Sequence, residues 1–270
     1  CFLPYLRILL NRAAVNKKIK QKSRIFENLK VYSIFALFYY ADIIYLKKKR
    51  RKPMPDFKYI LFDLDGTITN SAPGITNSVK YALNKLNKQV PPYDTLLKFI
   101  GPPLIEGFCE ITDLDPETAA TAVKYYREYY PEKGIFECTV YDGITKLLSC
   151  LAADGKQLIL ATSKPEVYAK KITAHFGLDA YFGFIFGAAM DKTRSTKEQV
   201  IEYALKSAGI TDISKAVMIG DRMHDITGAK KNGIKSIGVL YGFGSKEELT
   251  NAGADYIAAA PKEIKTLLTG

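Results

Sequence analysis

Two aspartates stand directly after a short apolar segment. Asp63 and Asp65 follow the run YILF, and Gly66 and Thr67 come next. In an extended chain, residues two positions apart point to the same side, so both carboxylates would project together where a strand ends. A strand that ends in an Asx turn needs only one Asp. The pair therefore indicates a cation site, because two buried carboxylates repel each other without one.

Three more polar groups follow later apolar segments. They are Thr162-Ser163-Lys164 after QLILA, Lys197 in RSTKEQVI, and Asp221 with Asp225 after AVMIG. Each group alone has an ordinary explanation, as a helix cap, a solvated lysine or a turn. Parallel strands of an open α/β sheet present their carboxyl ends at one edge, where such sheets bind ligands. Carboxylates, a hydroxyl and amines gathered there by four strand ends indicate a functional site.

These residue types favour phosphate chemistry. Four aspartates, at positions 63, 65, 221 and 225, need a hard cation, and all-oxygen ligands suit Mg²⁺. The Thr162 hydroxyl, a lysine and the N–H groups of a helix predicted to start at residue 165 suit a phosphate. Mg²⁺ and a lysine would offset the repulsion between a carboxylate and a phosphate dianion. One aspartate could then act as a covalent nucleophile.

The elements that must position these residues alternate along the chain. Short apolar runs predict buried parallel strands at residues 58–62, 157–162, 182–187, 216–220 and 235–240. Amphipathic segments predict helices at residues 142–153, 165–175, 196–208 and 224–232. The alternation indicates an α/β fold, a doubly wound, Rossmann-like parallel sheet with right-handed crossovers.

One interval is far longer than a single crossover needs. It follows the first strand and contains helical patterns at residues 75–86 and 116–130. We therefore expect residues 72–138 to form an inserted helical cap. The α/β catalytic core would then consist of residues 54–71 and 139–270. The tyrosines of KYYREYY repeat at helical spacing, which predicts that they pack inside the cap.

The order of the motifs resembles the haloacid dehalogenase superfamily over residues 57–270. The motifs are D-x-D-G-T, a Thr-Ser after an apolar strand, a Lys, and G-D-x-x-x-D. The resemblance implies that Asp63 is the nucleophile and a Mg²⁺ ligand. It implies that Asp65 is the general acid and base, with its backbone carbonyl also at the metal, and that Asp221 and Asp225 complete or support metal binding.

The same resemblance assigns the phosphate-binding residues. Thr162 would hydrogen-bond the transferring phosphoryl group, and Lys197 would hold the nucleophile and the phosphate together. Ser163 and Gly66 complete the expected substrate-binding set. The lysine is not in the K-P-x-P setting of many relatives, so two further lysines stay candidates for that role, Lys164 and Lys192.

The predicted function is a Mg²⁺-dependent phosphatase of small phosphomonoesters that works through an aspartyl-phosphate. The second aspartate, Asp65, favours phosphoryl transfer, because dehalogenases of this superfamily lack it. FIGPPLIEGF and the segment from GDRMHD onward resemble the phosphoglycolate phosphatase group, which includes 5′-nucleotidase relatives. The choice among these substrates is left open. The alternatives are a phosphomutase of the same superfamily and a catalytically silent regulatory module.

Positive charge is concentrated in the first 53 residues. The chain holds 39 Lys and Arg and 28 Asp and Glu, a formal charge of +11, whereas residues 54–270 alone carry a net charge of −1. We therefore expect no nucleic-acid partner. Four cysteines without C-x-x-C spacing and only two histidines argue against a zinc site or a disulfide framework, which favours a reduced, cytoplasmic location. The oligomeric state is left open.

The segment before the domain contains an apolar run of 16 residues, 31–46, followed by KKKRRK. A membrane span needs roughly 20 residues, and the central Asp42 would cost about 2.5 to 3.5 kcal/mol. Membrane contact is expected only if residues 1–53 are genuinely expressed. Met54 stands just before the first strand, as an initiator would. We favour the interpretation that residues 1–53 are upstream sequence outside the functional fold, over the alternative that they form a weak membrane-surface anchor.

Overall fold

The computed structural model describes residues 56–101, 103–191 and 193–269. The apolar run at 31–46, the basic cluster after it and the start proposed at Met54 lie outside these residues, as does Lys192. Within the three described ranges, no helix is both long and apolar enough to cross a membrane.

Parallel strands form a six-stranded sheet, and two further strands form a short antiparallel pair. In chain order the strands are β1 (Tyr59–Phe62), β2 (Thr69–Asn70), β3 (Thr139–Val140), β4 (Gln157–Pro165), β5 (Phe184–Ala188), β6 (Ala216–Gly220), β7 (Lys235–Val239) and β8 (Tyr256–Ala258). The six-stranded sheet has the order β5-β4-β1-β6-β7-β8. The chain therefore extends the sheet first to one side of β1 and then to the other, so the topological switch point lies beside β1.

Side chains of the central strands are buried on both faces of the sheet. Ile60 and Phe62 of β1 pack into one hydrophobic cluster, whereas Leu61 packs into the other. Met218 of β6 joins the same cluster as Leu61, and Ile219 joins that of Ile60. This alternation explains why the sequence shows continuous apolar runs, and it confirms the doubly wound α/β fold.

Helices cover the sheet and fill the long interval after β2. In chain order they are α1 (Ala72–Lys85), α2 (Tyr93–Leu96), α3 (Leu104–Thr112), α4 (Pro116–Tyr129), α5 (Ile144–Ala153), α6 (Glu166–His175), α7 (Lys197–Ser207), α8 (Met223–Lys231), α9 (Lys246–Ala252) and α10 (Pro261–Thr269). A 3₁₀ turn, Leu97–Phe99, follows α2, and a π-helical turn, Tyr130–Gly134, follows α4. The predicted helices are confirmed to within three residues at each end.

The chain leaves the core through β2 and returns to it through β3, and these two strands pair antiparallel. Thr69 lies opposite Val140, and Asn70 lies opposite Thr139. The helices α1 to α4 lie between these two strands in the chain. The pair brings the start and the end of the interval side by side, as the connection to an inserted module requires.

Apart from shifts of one or two residues at strand ends and the unpredicted pair β2–β3, two differences between the observed and the predicted strands stand out. β4 continues to Pro165, three residues beyond the predicted end, because a register irregularity between Ala161 and Pro165 lets it keep pairing with β5. β8 has only three residues, two of them half-buried, and the sequence pattern did not predict it. Both are features of strand pairing, which hydrophobic runs do not encode.

Candidate active site

Asp63 lies immediately after β1 and contacts a buried lysine. Its N–H donates to the carbonyl of Ile219 at 2.9 Å, which holds it against β6. Lys197 Nζ lies 2.7 Å from Asp63 Oδ1, 2.8 Å from Asp225 Oδ1 and 3.1 Å from the Ala161 carbonyl oxygen. Burial lowers the pKa of Lys197, but Asp225 and Asp63 raise it by more, so the net shift is upward. Lys197, only 5% exposed, is therefore a fixed cation between two carboxylates.

The position of Lys197 follows from the way α7 begins. Thr196 Oγ1 accepts a hydrogen bond from the N–H of Gln199 at 3.3 Å, and Gln199 Oε1 accepts one from the N–H of Thr196 at 3.1 Å. This capping box starts the helix at Lys197. The lysine is buried at the helix start, so the reading of Lys197 as a solvated surface residue is wrong.

Three carboxylates converge beside this lysine. One oxygen each from Asp63, Asp221 and Asp225 lies within 4.8 Å of the others, and the last two side chains are buried. Burial, together with Asp225 and Asp63, raises the pKa of Asp221 to about 8. Burial also raises the pKa of Asp225, to about 6, although Lys197 opposes that shift. These carboxylates repel one another and offer oxygen atoms as ligands. The group therefore fits a hard divalent cation such as Mg²⁺.

Glycines allow the chain to close tightly around Asp221. Gly66 has φ +78°, and a Cβ added there would lie 2.2 Å from Asp221 Oδ2. At Gly244 a Cβ would lie 1.9 Å from the Asp221 carbonyl oxygen. Between these contacts, the N–H of Phe243 donates to Asp221 Oδ2 at 2.8 Å. The segment Gly242-Phe243-Gly244 therefore holds an aspartate and is the turn that precedes α9.

Asp65 contacts a different lysine. Its Oδ2 lies 2.8 Å from Lys164 Nζ, which also donates to the hydroxyl of Tyr130. Asp65 Oδ1 is buried and has no hydrogen-bond partner among the described residues. The carboxylate of Asp65 is therefore separate from the three-carboxylate cluster. The sequence predicted both aspartates on an extended segment, but β1 ends at Phe62 and the chain bends at Leu64, between the two aspartates.

Thr162 and Ser163 lie in the irregular part of β4. Thr162 is buried, its hydroxyl accepts from the N–H of Lys164 at 3.2 Å, and Ser163 is exposed. Since α6 begins at Glu166, Thr162 is not its N-cap. The start of α6 also lies after Thr162-Ser163-Lys164, the group that was predicted to bind phosphate. A strand irregularity thus presents the hydroxyl and the backbone of this segment.

A cavity of about 560 Å³ opens over these residues. The core contributes the polar part of its lining, Asp63, Asp65, Thr162, Ser163, Lys164 and Arg222. The interval after β2 contributes mostly aromatic and apolar side chains, among them Ile75, Phe99, Ile100, Leu104, Tyr126 and Tyr130. The volume of the cavity is in the range typical of small-molecule sites. Charged groups of the core and an apolar wall therefore face the same cavity.

The structure brings most of the predicted residues together. Asp63, Asp221, Asp225 and Lys197 form one contact group, whereas Lys164 pairs with Asp65. The N–H of Gly66 is occupied, because it donates to the Thr69 carbonyl at 2.8 Å, so Gly66 shapes the loop and offers no free donor.

Three residues near the site were not predicted from the sequence. Tyr130 contacts Lys164, Phe243 contacts Asp221, and Arg222 lines the cavity. The packing prediction for the KYYREYY tyrosines holds for Tyr126 and Tyr130, which are buried and stacked 5.3 Å apart. Only the G-D-R sequence itself, which places Arg222 beside a motif aspartate, was a usable signal.

Comparisons with known proteins agree with this geometry. The family model described as Haloacid dehalogenase-like hydrolase matches residues 60–239. A 5′-nucleotidase of Pseudomonas aeruginosa is 47% identical over 190 residues, 70% of this chain and 86% of that protein. A crystal structure of a predicted phosphatase from Clostridium acetobutylicum has 54% identity and a TM-score of 0.73, covering 78% of this chain and 98% of that one.

Two more distant relatives carry different names. A phosphoglycolate phosphatase of Colwellia psychrerythraea is 30% identical and covers 73% of this chain and 90% of its own length. A protein of Mycobacterium tuberculosis named Tyrosine-protein kinase PtkA is 35% identical and covers 82% of this chain and 76% of its own length. The names have phosphoryl chemistry in common and differ in the molecule acted upon.

Proposed function

The chain belongs to the haloacid dehalogenase-like hydrolase family and is a phosphatase of that family, and from this premise we propose that it hydrolyses small phosphomonoesters through a phosphorylated Asp63 with the help of Mg²⁺. One observation carries the proposal. Lys197 lies between Asp63 and Asp225 at the carboxyl ends of the strands, inside a group of three carboxylates. An aspartate so placed can approach a phosphate dianion without uncompensated repulsion.

In the first step, Asp63 attacks the phosphorus of the bound ester. The bond between phosphorus and the ester oxygen breaks, and the electron pair leaves with that oxygen. Lys197, whose Nζ already lies 2.7 Å from Asp63 Oδ1, holds the nucleophile and a phosphoryl oxygen together. The Thr162 hydroxyl, buried at the edge of the cavity, donates to another phosphoryl oxygen.

Asp65 handles the protons of both steps. Its Oδ2 is held by Lys164, its Oδ1 has no hydrogen-bond partner among the described residues, and Asp65 lines the cavity in which the ester would bind. It protonates the departing oxygen as that oxygen leaves. It then takes a proton from the water that attacks the phosphorylated Asp63 and releases phosphate.

The cluster of Asp63, Asp221 and Asp225 would hold Mg²⁺. When bound, the ion would supply positive charge that offsets the repulsion between the nucleophile and the phosphate. The donor set fits this ion, because it consists of carboxylate oxygens, and burial together with the neighbouring carboxylates raises the pKa values of Asp221 and Asp225.

The helical interval, residues 72–138, acts as the cap domain of this enzyme, and residues 54–71 and 139–270 act as its catalytic core. Tyr126, Tyr130 and Phe99 give the cavity an aromatic wall. Such a wall supports phosphomonoesters with a flat or apolar leaving group, and the relative named 5′-nucleotidase supports nucleoside monophosphates over phosphoglycolate.

The compartment and partners form a separate part of the proposal. The cysteines of the described ranges, Cys109, Cys138 and Cys150, are all free thiols, which supports a reducing, cytoplasmic location. The near-neutral charge of residues 54–270 supports a small-molecule substrate and no nucleic-acid partner.

Phosphate release from a panel of phosphomonoesters tests the function. We expect turnover of at least one nucleoside monophosphate or phosphoglycolate with Mg²⁺, loss of turnover with a chelator, and at least a thousand-fold lower rate in Asp63→Asn. Asp212→Asn, which changes an exposed carboxylate far along the chain, is the matched control and should keep wild-type activity.

Three outcomes would contradict this function. Retained activity in folded Asp63→Asn would exclude the covalent route. An isomerised sugar phosphate in place of free phosphate would favour the phosphomutase alternative, and no reaction with any ester would favour a regulatory module.

A further inference from the structure

Arg222 connects the loop that carries Asp221 to the helical interval. Its Nη1 donates to the carbonyl oxygen of Ile100 at 2.9 Å. On the core side, its Nε donates to Glu248 Oε1 at 2.8 Å, and the same oxygen accepts from the N–H of Met223 at 2.8 Å. The guanidinium group is therefore anchored in the core and reaches one backbone carbonyl beyond it.

The backbone at Ile100 and Gly101 fits this guanidinium group closely. Ile100 is buried, at 3% exposure, and follows directly on the 3₁₀ turn that ends at Phe99. Gly101 has φ +110°, and a Cβ added there would lie 3.0 Å from Arg222 Nη1. A side chain at position 101 would therefore crowd the contact as well as strain the backbone.

Both ends of this contact line the cavity. Phe99, Ile100 and Gly101 form part of its wall, and Arg222 lies on the opposite, core side of the same contact. Arg222 is also the residue next to Asp221, whose side chain belongs to the three-carboxylate cluster. A shift of the Ile100 carbonyl would therefore change the distance between the cavity wall and the cation site.

The hydrogen bond from Arg222 to the Ile100 carbonyl belongs to a strong class of hydrogen bonds. Hydrogen bonds from charged donors stabilise more than neutral ones, and a planar guanidinium can serve two acceptors in fixed directions. Arg222 uses this property here, with a carboxylate on one side and a carbonyl on the other. Lysine, a point charge on a flexible chain, would not reproduce both contacts.

We propose that Arg222 is a positioning residue that sets the choice of leaving group, because it holds the Phe99–Gly101 wall at a fixed distance from the Asp221 loop. The proposal rests on the phosphatase function proposed above. Arg222 acts through the wall it holds. Its loss should therefore affect an ester whose leaving group fills the cavity more than an ester that barely reaches the wall.

Steady-state kinetics of Arg222→Gln and Arg222→Lys test the proposal. The quantity compared is kcat/KM for the best ester of the panel divided by kcat/KM for methyl phosphate, whose leaving group is too small to span the cavity. We expect this ratio to fall about tenfold in Arg222→Gln and by less in Arg222→Lys. Lys235→Gln, which removes an exposed ion pair with Asp255, is the control and should keep the ratio.

Glu248→Gln provides a second test if Arg222→Gln does not fold. This variant keeps the guanidinium and weakens its anchor, so the same ratio should fall by a smaller factor. If Arg222→Gln does fold, the double variant should lose no more than Arg222→Gln alone, because Glu248 and Arg222 act on one contact.

Hydrogen–deuterium exchange gives a readout that does not need activity. Peptides covering residues 97–101 should exchange faster in Arg222→Gln than in the wild type, while peptides of β6 keep their protection. An unchanged substrate ratio, or unchanged exchange at residues 97–101, would overturn the proposal. A wild-type protein that releases phosphate from no ester would instead overturn the phosphatase function, and exchange would still report on the contact.

Discussion

The two sides of the cavity are built from different chemistry. The core side carries buried charges, with Lys197 between Asp63 and Asp225. The side formed by the helical interval carries aromatic rings, such as the stacked Tyr126 and Tyr130. In the proposed function, this difference corresponds to a division of labour, in which the core side makes and breaks bonds and the helical side selects the substrate.

The two buried lysines make the same contrast on a smaller scale. Lys197 contacts two carboxylates of the core, whereas Lys164 contacts one carboxylate, Asp65, and the Tyr130 hydroxyl of the helical side. In both lysines burial lowers the pKa and the neighbouring groups raise it by more. Lys197 therefore belongs wholly to the core chemistry, and Lys164 joins the two sides.

After loss of the nucleophile Asp63, replacing Lys197 should give the largest effect. In Lys197→Met we expect kcat/KM to fall by about a thousand-fold for every ester, because a fixed cation at the nucleophile is lost. The measurement is steady-state phosphate release with saturating Mg²⁺. Lys206→Met, on the exposed face of the same helix, is the control. A loss restricted to one ester would break the proposed division of labour.

Replacing Asp65 should give the next largest effect. In Asp65→Asn we expect about a hundred-fold loss for alkyl phosphates, which need a protonated leaving oxygen, and a smaller loss for p-nitrophenyl phosphate, which does not. Comparing kcat/KM for the two kinds of ester checks this, because kcat/KM reports the step in which the leaving oxygen departs and not the later attack of water. Equal losses would remove Asp65 from the role of general acid.

The pH dependence of stability should distinguish the three-carboxylate cluster from the rest of the core. The pKa of Asp221 is raised to about 8 in the folded protein from an ordinary value of 3.8, mainly by burial. Its contribution to stability is therefore present at low pH and lost as the pH rises through about 8. Mg²⁺ binds the ionised carboxylates, so the rise in Tm that it causes should grow with pH.

Thermal unfolding with excess Mg²⁺ or with a chelator, at pH values between about 5 and 9, measures this effect. We expect a Mg²⁺-dependent rise of several degrees at the upper end and little at the lower end. A rise of the same size at both ends would argue against the carboxylate cluster as the site of Mg²⁺.

Replacing Tyr130 should give the smallest effect. Tyr130→Phe removes a hydroxyl that contacts Lys164 and leaves the ring stack with Tyr126 in place. We expect kcat to fall by only a few-fold, because the hydroxyl acts on Asp65 through the lysine. Measuring kcat with one ester that the wild type hydrolyses well checks this. A loss as large as that of Asp65→Asn would place the helical side within the bond-breaking chemistry.

The core could be predicted well from the sequence, because its strands are short apolar runs with clear ends. The predicted strand 216–220 is β6, residue for residue. Asp221 and Asp225 follow it directly, and the parallel topology brings them to Asp63. Local pattern and sheet geometry are enough to gather these three residues.

The contacts of the helical side could not be predicted in the same way. Tyr130 meets Lys164, and Ile100 meets Arg222, across 34 and 122 positions of the chain. Helical periodicity shows that Tyr130 faces inward, but which core residue it meets depends on how the whole interval packs. The sequence did not predict the separation of Asp65 from the carboxylate cluster for a related reason, since the chain bends at Leu64, after β1 has ended.

Direct detection of the intermediate tests the central claim. Rapid acid quench during turnover with Mg²⁺, followed by mass spectrometry of the peptides, should show one added phosphoryl group on the peptide that contains Asp63. The same peptide of Asp63→Asn should show none. Turnover at the wild-type rate with no phosphorylated Asp63, or with the phosphoryl group on another residue, would contradict the account.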